Sequence, residues 1–179
     1  MQEIDILNWI YDTFRCTFLD WMSLAFDYAF KTCIIWVILG IILLRRPNTR
    51  MFGVVLLCSL ALEIIFVYSF KYGFMRHRPF EDYAVHALVN SFHTSSFPSG
   101  HTAQLFCVTT VFAVFCKKHF PEILCLAFLV AFTRMYMYAH YPTDVLAGAI
   151  TGIVCALVAI FTILRMDEYV YYVKDPDQD

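Results

Sequence analysis

The chain has 179 residues, 60% of them hydrophobic, and its mean hydropathy is +0.64. Soluble globular domains are about half apolar, so this composition excludes an ordinary soluble protein and predicts one helical membrane domain. The formal net charge is −2. With no run of basic residues and no basic–aromatic face, the sequence indicates no nucleic acid partner.

The apolar stretches come in an order that predicts an all-α fold, an integral membrane bundle of five to six helices. A bilayer core requires about 20 mostly apolar residues per helix, and five stretches approach that length: residues 23–44, 51–70, 102–116, 120–138 and 145–164. Ahead of them, Ile4, Leu7 and Ile10 recur at helical spacing with polar residues between. That pattern favours a helix lying in the membrane interface over residues 4–14, with a spanning helix as the alternative.

The basic residues of the short loops predict the orientation of the bundle, because such residues are enriched on the cytoplasmic side. They lie after the first, third and fifth predicted helices: Arg45, Arg46, Arg50, Lys117, Lys118 and Arg165. We therefore expect a single membrane domain over residues 1–166 and a short polar cytoplasmic tail over residues 167–179. The opposite ends of the helices then face outward.

Basic residues at those opposite ends are candidates for phosphate binding. Arg78 and Arg134 each offer a planar fork to two phosphate oxygens, whereas Lys71 acts as a point charge. A lone basic residue at a helix end is more often a snorkelling anchor. Arg134, however, lies inside the predicted fourth spanning helix, and an arginine within a membrane indicates a function.

The segment Pro98-Ser99-Gly100-His101 predicts the beginning of a helix. Free backbone N–H groups at a helix N-terminus form an anion site, and Gly100 permits close approach of the backbone to a phosphate. The alternative is a capping Ser99 with an incidental His101.

The segment that follows the fourth predicted spanning helix carries His140 and, four residues later, Asp144. Pro142 between them suits the first turn of the last helix. A carboxylate bound to one ring nitrogen fixes the tautomer and leaves the other nitrogen free to attack phosphorus. The alternatives are a helix-capping Asp144 and an interfacial loop histidine at His140.

Together, in this order and spacing, the three segments resemble the signature of the type-2 phosphatidic acid phosphatase family: Lys-x6-Arg-Pro, Pro-Ser-Gly-His and Ser-Arg-x5-His-x3-Asp. The resemblance covers residues 71–144, and its one departure is Thr133 in place of Ser. It implies that His140 is the nucleophile that becomes phosphorylated, that Asp144 supports it, and that His101 protonates the leaving oxygen and later activates water. The implied phosphate-binding residues are Lys71, Arg78, Ser99, Gly100 and Arg134.

The same resemblance implies an enzyme that needs no metal and no cofactor, because fixed cations and helix ends stabilise the transition-state charge. We expect the substrate to be a membrane lipid phosphate and the surroundings to be the lipid bilayer, with no obligate protein partner. Undecaprenyl diphosphate at the outer face of a bacterial inner membrane is the leading candidate. Phosphatidylglycerol phosphate, phosphatidic acid and a lipid A phosphate are alternatives.

Two alternatives come from other classes of protein. A catalytically silent lipid-phosphate binder or transporter would not require His140 paired to Asp144. Vanadate-dependent haloperoxidases share the signature but are soluble, which the five predicted spans oppose.

Several polar and aromatic residues outside the three segments also carry predictions. Glu63, in the middle of the second predicted spanning helix, is expected to join a structural pair, with a proton relay as the alternative. Asp27 and Lys31 form an i,i+4 pair, and Lys31 is the expected partner of Glu63. Three histidines of the long loop are interpreted as solvated residues: His77, His86 and His93. Four aromatic residues are interpreted as belt residues at the membrane interface: Trp9, Trp21, Tyr138 and Tyr141.

Overall fold

The computed structural model describes residues 2–85, 87–89 and 94–174, with side chains described through Met166, and this part of the chain is helical with no strands. The predicted all-α fold is therefore confirmed. The helices are α1 (Glu3–Phe14), α2 (Thr17–Phe30), α3 (Ile34–Leu44), α4 (Arg50–Phe74), α5 (Pro79–Asp82), α6 (Gly100–Phe115), α7 (Phe120–Tyr136) and α8 (Pro142–Lys174). A 3-10 turn, Pro47–Thr49, precedes α4.

Within the described residues, two helical units are long and apolar enough to cross a membrane, Pro47–Asp82 and Pro142–Met166. A third span results if α2 and α3, which meet at 51°, are taken as one broken helix. The helices α6 and α7 have 16 and 17 residues, somewhat less than the roughly 20 that a span usually needs. The molecule is thus an integral membrane bundle whose spans differ in length.

The prediction of one continuous helix over residues 23–44 was wrong, because the chain breaks between α2 and α3. The apolar composition continues through the break and conceals it in the sequence. Inside the bundle, the side chain of Gln104 on α6 reaches the break and donates from Nε2 to the carbonyl oxygen of Thr32 at 3.5 Å. A side chain that binds a carbonyl released from a helix is a common cause of such bends.

The centre of the bundle is α6, which packs against α4, α7 and α8 and buries Leu105, Val108 and Val111 completely. Two glycines of α8 allow the closest of these contacts. A Cβ atom added at Gly148 would lie 2.5 Å from the carbonyl oxygen of Ser99, and one at Gly152 would overlap the backbone of Ala103. The backbones of α6 and α8 therefore touch, and this contact fixes the start of α6 against the start of α8.

The first helix occupies the predicted position, and its 12 residues extend only about 18 Å. A bilayer core is about 30 Å thick, so α1 by itself is too short to cross it. Its apolar stripe does not face lipid: Ile4, Leu7 and Ile10 pack in a cluster with Tyr136 and Met137 at the end of α7. The helix is thereby joined to the protein next to the segment that carries His140.

Of the four predicted belt aromatics, Trp9 and Trp21 are exposed at 61% and 71%. The prediction was wrong for Tyr138 and Tyr141, which are buried at 3% and 6% exposure. Their hydroxyl groups find partners within the protein: Tyr138 donates to Asn8 Oδ1 at 3.0 Å, and Tyr141 donates to Asp82 Oδ2 at 2.9 Å. Both rings pack in the cluster that joins α1 to the end of α7.

The last helix continues to Lys174, ten residues beyond its predicted end, so that residues 167–174 of the predicted tail are helical. Residues 175–179 lie outside the described part of the chain, as do His86 and His93. The remaining loop histidine, His77, is exposed, and its Nδ1 lies 3.3 Å from Asp82 Oδ1.

Candidate active site

All three sequence segments meet at one end of the bundle, where α4 and α7 end and where α6 and α8 begin. The backbone N–H of Ser99 donates to the carbonyl oxygen of Asp144 at 3.0 Å. Arg78 NH1 lies 3.4 Å from His140 Nε2. The predicted convergence of the motifs is therefore confirmed, although residues 71 and 144 are far apart in the sequence.

His140 lies between α7 and α8, outside the spanning helices, and is 3% exposed. Burial, and then the positive charges of Arg78 and Lys71, lowers the pKa of His140 well below its ordinary value. The charges of Arg134 and His101 act in the same direction, which places every predicted cationic or imidazole side chain of the site around this ring. The imidazole is therefore neutral at neutral pH and retains a nucleophilic lone pair.

The predicted direct bond between Asp144 and His140 is replaced by a bridge. The distance from His140 Nδ1 to Asp144 Oδ2 is 3.9 Å, longer than a hydrogen bond. Ser96 lies between them: its hydroxyl donates to Asp144 Oδ2 and lies 3.4 Å from His140 Nδ1. Because the hydroxyl hydrogen is directed at the carboxylate, the Ser96 oxygen accepts from Nδ1–H. That tautomer leaves the lone pair on Nε2, which faces Arg78.

Asp144 is completely buried, and both of its carboxylate oxygens are bound. Besides Ser96, Oδ2 accepts from the backbone N–H of Tyr141 at 2.9 Å, and Oδ1 accepts from Arg76 NH1 at 2.6 Å. The bond from Tyr141 is the capping interaction that the sequence offered as the alternative function. Asp144 therefore serves both to begin α8 and to support His140.

Arg78 is 3% exposed, which excludes the snorkelling alternative for this residue. Its guanidinium donates from Nε to the Thr94 carbonyl oxygen and from NH1 to the Ala139 carbonyl oxygen, both at 3.0 Å. Lys71 Nζ donates to the carbonyl oxygen of Ser95 at 2.6 Å. The end of the long segment before α6 thus fixes both cations beside the histidine.

Arg134 is fully buried in α7. It pairs with Asp27, which the sequence analysis paired with Lys31. Its NH1 donates to Asp27 Oδ1 at 2.5 Å, and its NH2 donates to the Ser23 carbonyl oxygen at 3.2 Å. The predicted pair of Asp27 with Lys31 was wrong, since a buried guanidinium needs a compensating charge far more than an exposed lysine does. Arg134 Nε is buried with no hydrogen-bond partner among the described residues.

The carboxylate of Asp27 also lies close to His101. His101 Nε2 lies 3.3 Å from the Asp27 carbonyl oxygen and 3.7 Å from Asp27 Oδ1. Asp27 therefore joins Arg134 and His101 into one charged group on the other side of the site.

Thr133, the one departure from the family signature, is completely buried beside Arg134. Its hydroxyl donates to the Val130 carbonyl oxygen at 2.8 Å and accepts from Arg134 NH2 at 3.4 Å. The expected orienting hydrogen bond is therefore present, and a serine would offer the same oxygen.

Ser99 occupies the N-cap position of α6 without capping it; its hydroxyl lies 3.0 Å from Thr102 Oγ1 instead. The first amides of α6 are thus left without a side-chain cap, as an anion site requires. A Cβ atom at Gly100 would meet only Val67 Cγ1, at an ordinary 3.7 Å. Packing within the chain therefore leaves room for a side chain at this position.

Glu63 is 2% exposed in the middle of α4. The expected partner was wrong: Lys31 is exposed, and no ion pair joins it to Glu63 in the part of the chain that the structure describes.

No group of three or more His, Cys, Asp or Glu side chains suited to a metal ion occurs among the described residues.

The sequence profile of the PAP2 superfamily matches residues 52–166, a stretch that contains every predicted site residue. The chain therefore belongs to the PAP2 superfamily, as the resemblance in the sequence predicted.

Solved and curated relatives agree with this assignment. The crystal structure of Aquifex aeolicus LpxE superimposes with a TM-score of 0.75 and 30% sequence identity, over 88% of this chain and 93% of that one. An undecaprenyl-diphosphatase of Sulfolobus acidocaldarius is 31% identical over 66% of this chain, and the bacitracin transport permease protein BcrC of Bacillus licheniformis is 38% identical over 44%. The chain spans 58% and 38% of the lengths of these two curated relatives.

Proposed function

We propose that the chain is a membrane lipid phosphatase that transfers a phosphoryl group from a lipid to His140 and then to water. One observation carries the proposal: a buried, neutral His140 holds its Nε2 3.4 Å from the Arg78 guanidinium, while its Nδ1 faces Ser96 and Asp144. A simple phosphate-binding protein has no need of a nucleophile held in one tautomer beside an arginine fork.

In the first step, the lone pair of His140 Nε2 forms a bond to phosphorus, and the bond from phosphorus to the leaving oxygen breaks. His101 enters this step in its protonated form and passes its proton to that oxygen, and the lipid alcohol or lipid phosphate departs. Arg78, Arg134 and Lys71 bind the phosphoryl oxygens, whose charge they stabilise in the transition state. The unpartnered Arg134 Nε offers a buried donor for one of these oxygens.

In the second step, a water molecule attacks the phosphohistidine. The neutral His101 takes a proton from that water as the new oxygen–phosphorus bond forms. The bond from phosphorus to Nε2 breaks, its electron pair returns to the ring of His140, and inorganic phosphate leaves. His101 is protonated again, so the enzyme is ready for the next lipid. Neither step passes through a metal ion.

Undecaprenyl diphosphate is the substrate we propose, with hydrolysis to undecaprenyl phosphate at the outer face of a bacterial inner membrane. The similarity to the undecaprenyl-diphosphatase of Sulfolobus acidocaldarius supports this choice. The basic loops at the end of the bundle opposite His140, which include Arg45, Arg46, Lys117 and Lys118, support an outward-facing site and a cytoplasmic C-terminus. Phosphatidylglycerol phosphate, phosphatidic acid and lipid A phosphate are the competing substrates.

The test is phosphate release by the detergent-purified protein in EDTA, with these four lipids compared side by side. His140→Ala should abolish release, whereas His119→Ala, the same substitution at an exposed position between α6 and α7, should not change it. Orthovanadate should inhibit the wild-type protein because it occupies the phosphoryl site. Release that survives His140→Ala would contradict the nucleophile assignment.

The permease named among the relatives favours one second candidate, a lipid-phosphate binder or transporter. No phosphate release from any lipid by a folded protein, together with saturable binding of one of them, would support that candidate instead.

A further inference from the structure

We propose that Arg76 and Glu3 are positioning residues for the nucleophile, so that the N-terminal helix α1 is part of the catalytic apparatus. Arg76 occupies one of the unspecified positions between Lys71 and Arg78, and Glu3 lies outside all three sequence segments. The two side chains form an ion-pair chain that begins on α1 and ends on the carboxylate that supports His140.

The guanidinium of Arg76 is fixed from several directions. Its NH1 donates to Asp144 Oδ1 at 2.6 Å and to Thr143 Oγ1 at 2.7 Å, and its NH2 pairs with Glu3 Oε2. The same group lies over the ring of Tyr141, 4.2 Å from the ring centroid. An arginine bound in this way cannot rotate without breaking several contacts.

The contact with Asp144 determines the direction in which that carboxylate points. With Oδ1 held by Arg76, Oδ2 is left facing Ser96 and, through it, His140 Nδ1. Asp144 is completely buried, and an unpaired buried carboxylate is costly. Arg76 therefore both compensates the charge of Asp144 and orients it.

Glu3 fixes the other side of this arrangement. Its Oε1 accepts from the backbone N–H of Thr143 at 3.0 Å and from the Thr143 hydroxyl at 2.6 Å. An acidic group at the N-terminus of α8 also interacts favourably with the helix dipole. Burial by itself raises the pKa of Glu3, but the hydrogen bonds from Thr143 and Arg76 lower it below the ordinary value, so Glu3 is ionised at neutral pH.

Arg76 differs from the phosphate-binding cations of the site in what it binds. Both of its terminal nitrogens are directed at carboxylates, on Glu3 and Asp144, whereas Arg78 NH1 faces the reactive nitrogen of His140. A third of the Arg76 and Glu3 side chains is exposed, 32% and 31%. The Arg76–Glu3 pair by itself contributes little stability, so we expect Glu3→Gln to affect the geometry of Asp144 more than the fold.

The test compares Arg76→Gln, Arg76→Lys and Glu3→Gln in the full-length purified protein. Asp12→Asn, which removes the same kind of charge from an exposed position of α1, is the matched control. We expect Arg76→Gln to lower kcat by about 10- to 100-fold, since small misplacements of a catalytic group have effects of this size. KM and the inhibition constant of orthovanadate should stay within about twofold. Arg76→Lys should recover part of kcat, Glu3→Gln should lose several-fold, and Asp12→Asn should match the wild type.

A double-substitution experiment separates positioning from a direct contact with substrate. If Arg76 acts through Asp144, adding Arg76→Gln to Asp144→Asn should lower kcat by less than about twofold further. A full additional loss, or a fall in orthovanadate affinity in Arg76→Gln, would show that Arg76 binds the phosphoryl group and would overturn the inference. An unchanged kcat in Arg76→Gln would overturn it as well.

The kinetic readout depends on the proposed phosphatase activity. A second readout is therefore chosen that does not depend on this activity. The ring of His140 can be titrated by nitrogen-15 NMR, with its resonances identified by their loss in His140→Ala. Loss of Arg76, which orients the Asp144 carboxylate behind Ser96, should shift the titration of the His140 ring, and Asp12→Asn should leave it unchanged. A wild-type protein without hydrolysis would refute the proposed function alone, whereas an unmoved titration in Arg76→Gln would refute the positioning role.

Discussion

Each of the two histidines of the site lies near an aspartate that also binds an arginine. The two groups differ in which charged residue is completely buried. On one side, Asp144 is completely buried, and its partner Arg76 is partly exposed. On the other side, Arg134 is the completely buried member, and Asp27 is partly exposed. The buried charge is thus the carboxylate beside the proposed nucleophile His140 and the guanidinium beside His101.

This difference suits the two chemical tasks. A nucleophilic ring must stay neutral, and His140 lies among cations, with its aspartate held off at 3.9 Å behind Ser96. His101, the proposed proton donor, has its Nε2 3.7 Å from Asp27 Oδ1. The surroundings of the two rings therefore differ chiefly in which member of each ion pair is buried.

Among the substitutions that test this comparison, Asp27→Asn is expected to lower kcat most. Loss of the carboxylate weakens the protonated form of His101 and leaves Arg134 without its charge partner, so we expect kcat to fall by about 100-fold. The loss should be greater for phosphatidic acid, whose alkoxide leaves poorly, than for p-nitrophenyl phosphate, whose phenolate needs little protonation. Asp144→Asn, which acts on the nucleophile, should instead slow both substrates alike.

Steady-state rates on the two substrates provide the measurement, and thermal unfolding of each variant confirms that the fold is kept. Lys31→Gln is the matched control because the sequence alone pairs Lys31 with Asp27. Equal losses on both substrates in Asp27→Asn would contradict the division of tasks between the two histidines. A loss of similar size in Lys31→Gln would restore the sequence-based pairing.

A smaller effect is expected from Ser96→Ala. The substitution removes the bridge from His140 Nδ1 to Asp144, but it leaves Arg76 on the carboxylate and Arg78 beside Nε2. We expect kcat to fall by about tenfold, as for other losses of a group that orients a catalytic residue. Ser95→Ala, at the neighbouring position in the chain, offers a comparison, because its hydroxyl contacts the backbone of Arg76 rather than His140. Activity of Ser96→Ala equal to that of the wild type would remove the bridge from the mechanism.

The pH dependence tests the same side of the comparison. Because the pKa of His140 is lowered from its ordinary value of about 6.5, the ring keeps its lone pair as the pH falls below that value. We predict that the acid limb of kcat/KM lies well below pH 6.5, so that activity is largely kept as the pH falls to that value. An acid limb centred at or above pH 6.5 would mean that the surrounding cations do not keep His140 neutral.

The smallest effect is expected from Thr133→Ser, which restores the family residue. Both side chains present a hydroxyl to Arg134 NH2 and to the Val130 carbonyl oxygen, so kcat should change by less than about twofold. The change is measured against the wild type under identical detergent conditions. A large gain in rate would show that the threonine methyl group displaces Arg134.

Local sequence patterns could predict the apolar helices and the residues of the three segments. His140, Asp144, Pro142 and Arg134 lie close together in the chain, and their spacing alone carries most of their meaning. The break between α2 and α3 could not be predicted from composition, because the apolar residues continue through it. Its cause is a contact with Gln104, which lies in another helix.

The missed residues share a physical reason: each acts through a partner that is distant in the sequence. Arg134 and Asp27 are 107 positions apart, and Thr143 and Glu3 are 140 apart. In the sequence, Glu3 and Asp27 look like ordinary acidic residues near helix ends, and Ser96 looks like a loop serine. Only the folded chain shows that all of them converge on the two histidines.

The central claim is that His140 itself carries the phosphoryl group, and rapid quenching of the reaction tests it most directly. The protein is mixed with phosphorus-32-labelled lipid phosphate, quenched in alkali and digested, and the labelled peptide is sequenced by mass spectrometry. We predict a base-stable, acid-labile phosphohistidine at His140 that is absent in His140→Ala and that both forms and decays more slowly in His101→Ala. Label on another residue, or turnover with no labelled protein at any quench time, would contradict the mechanism.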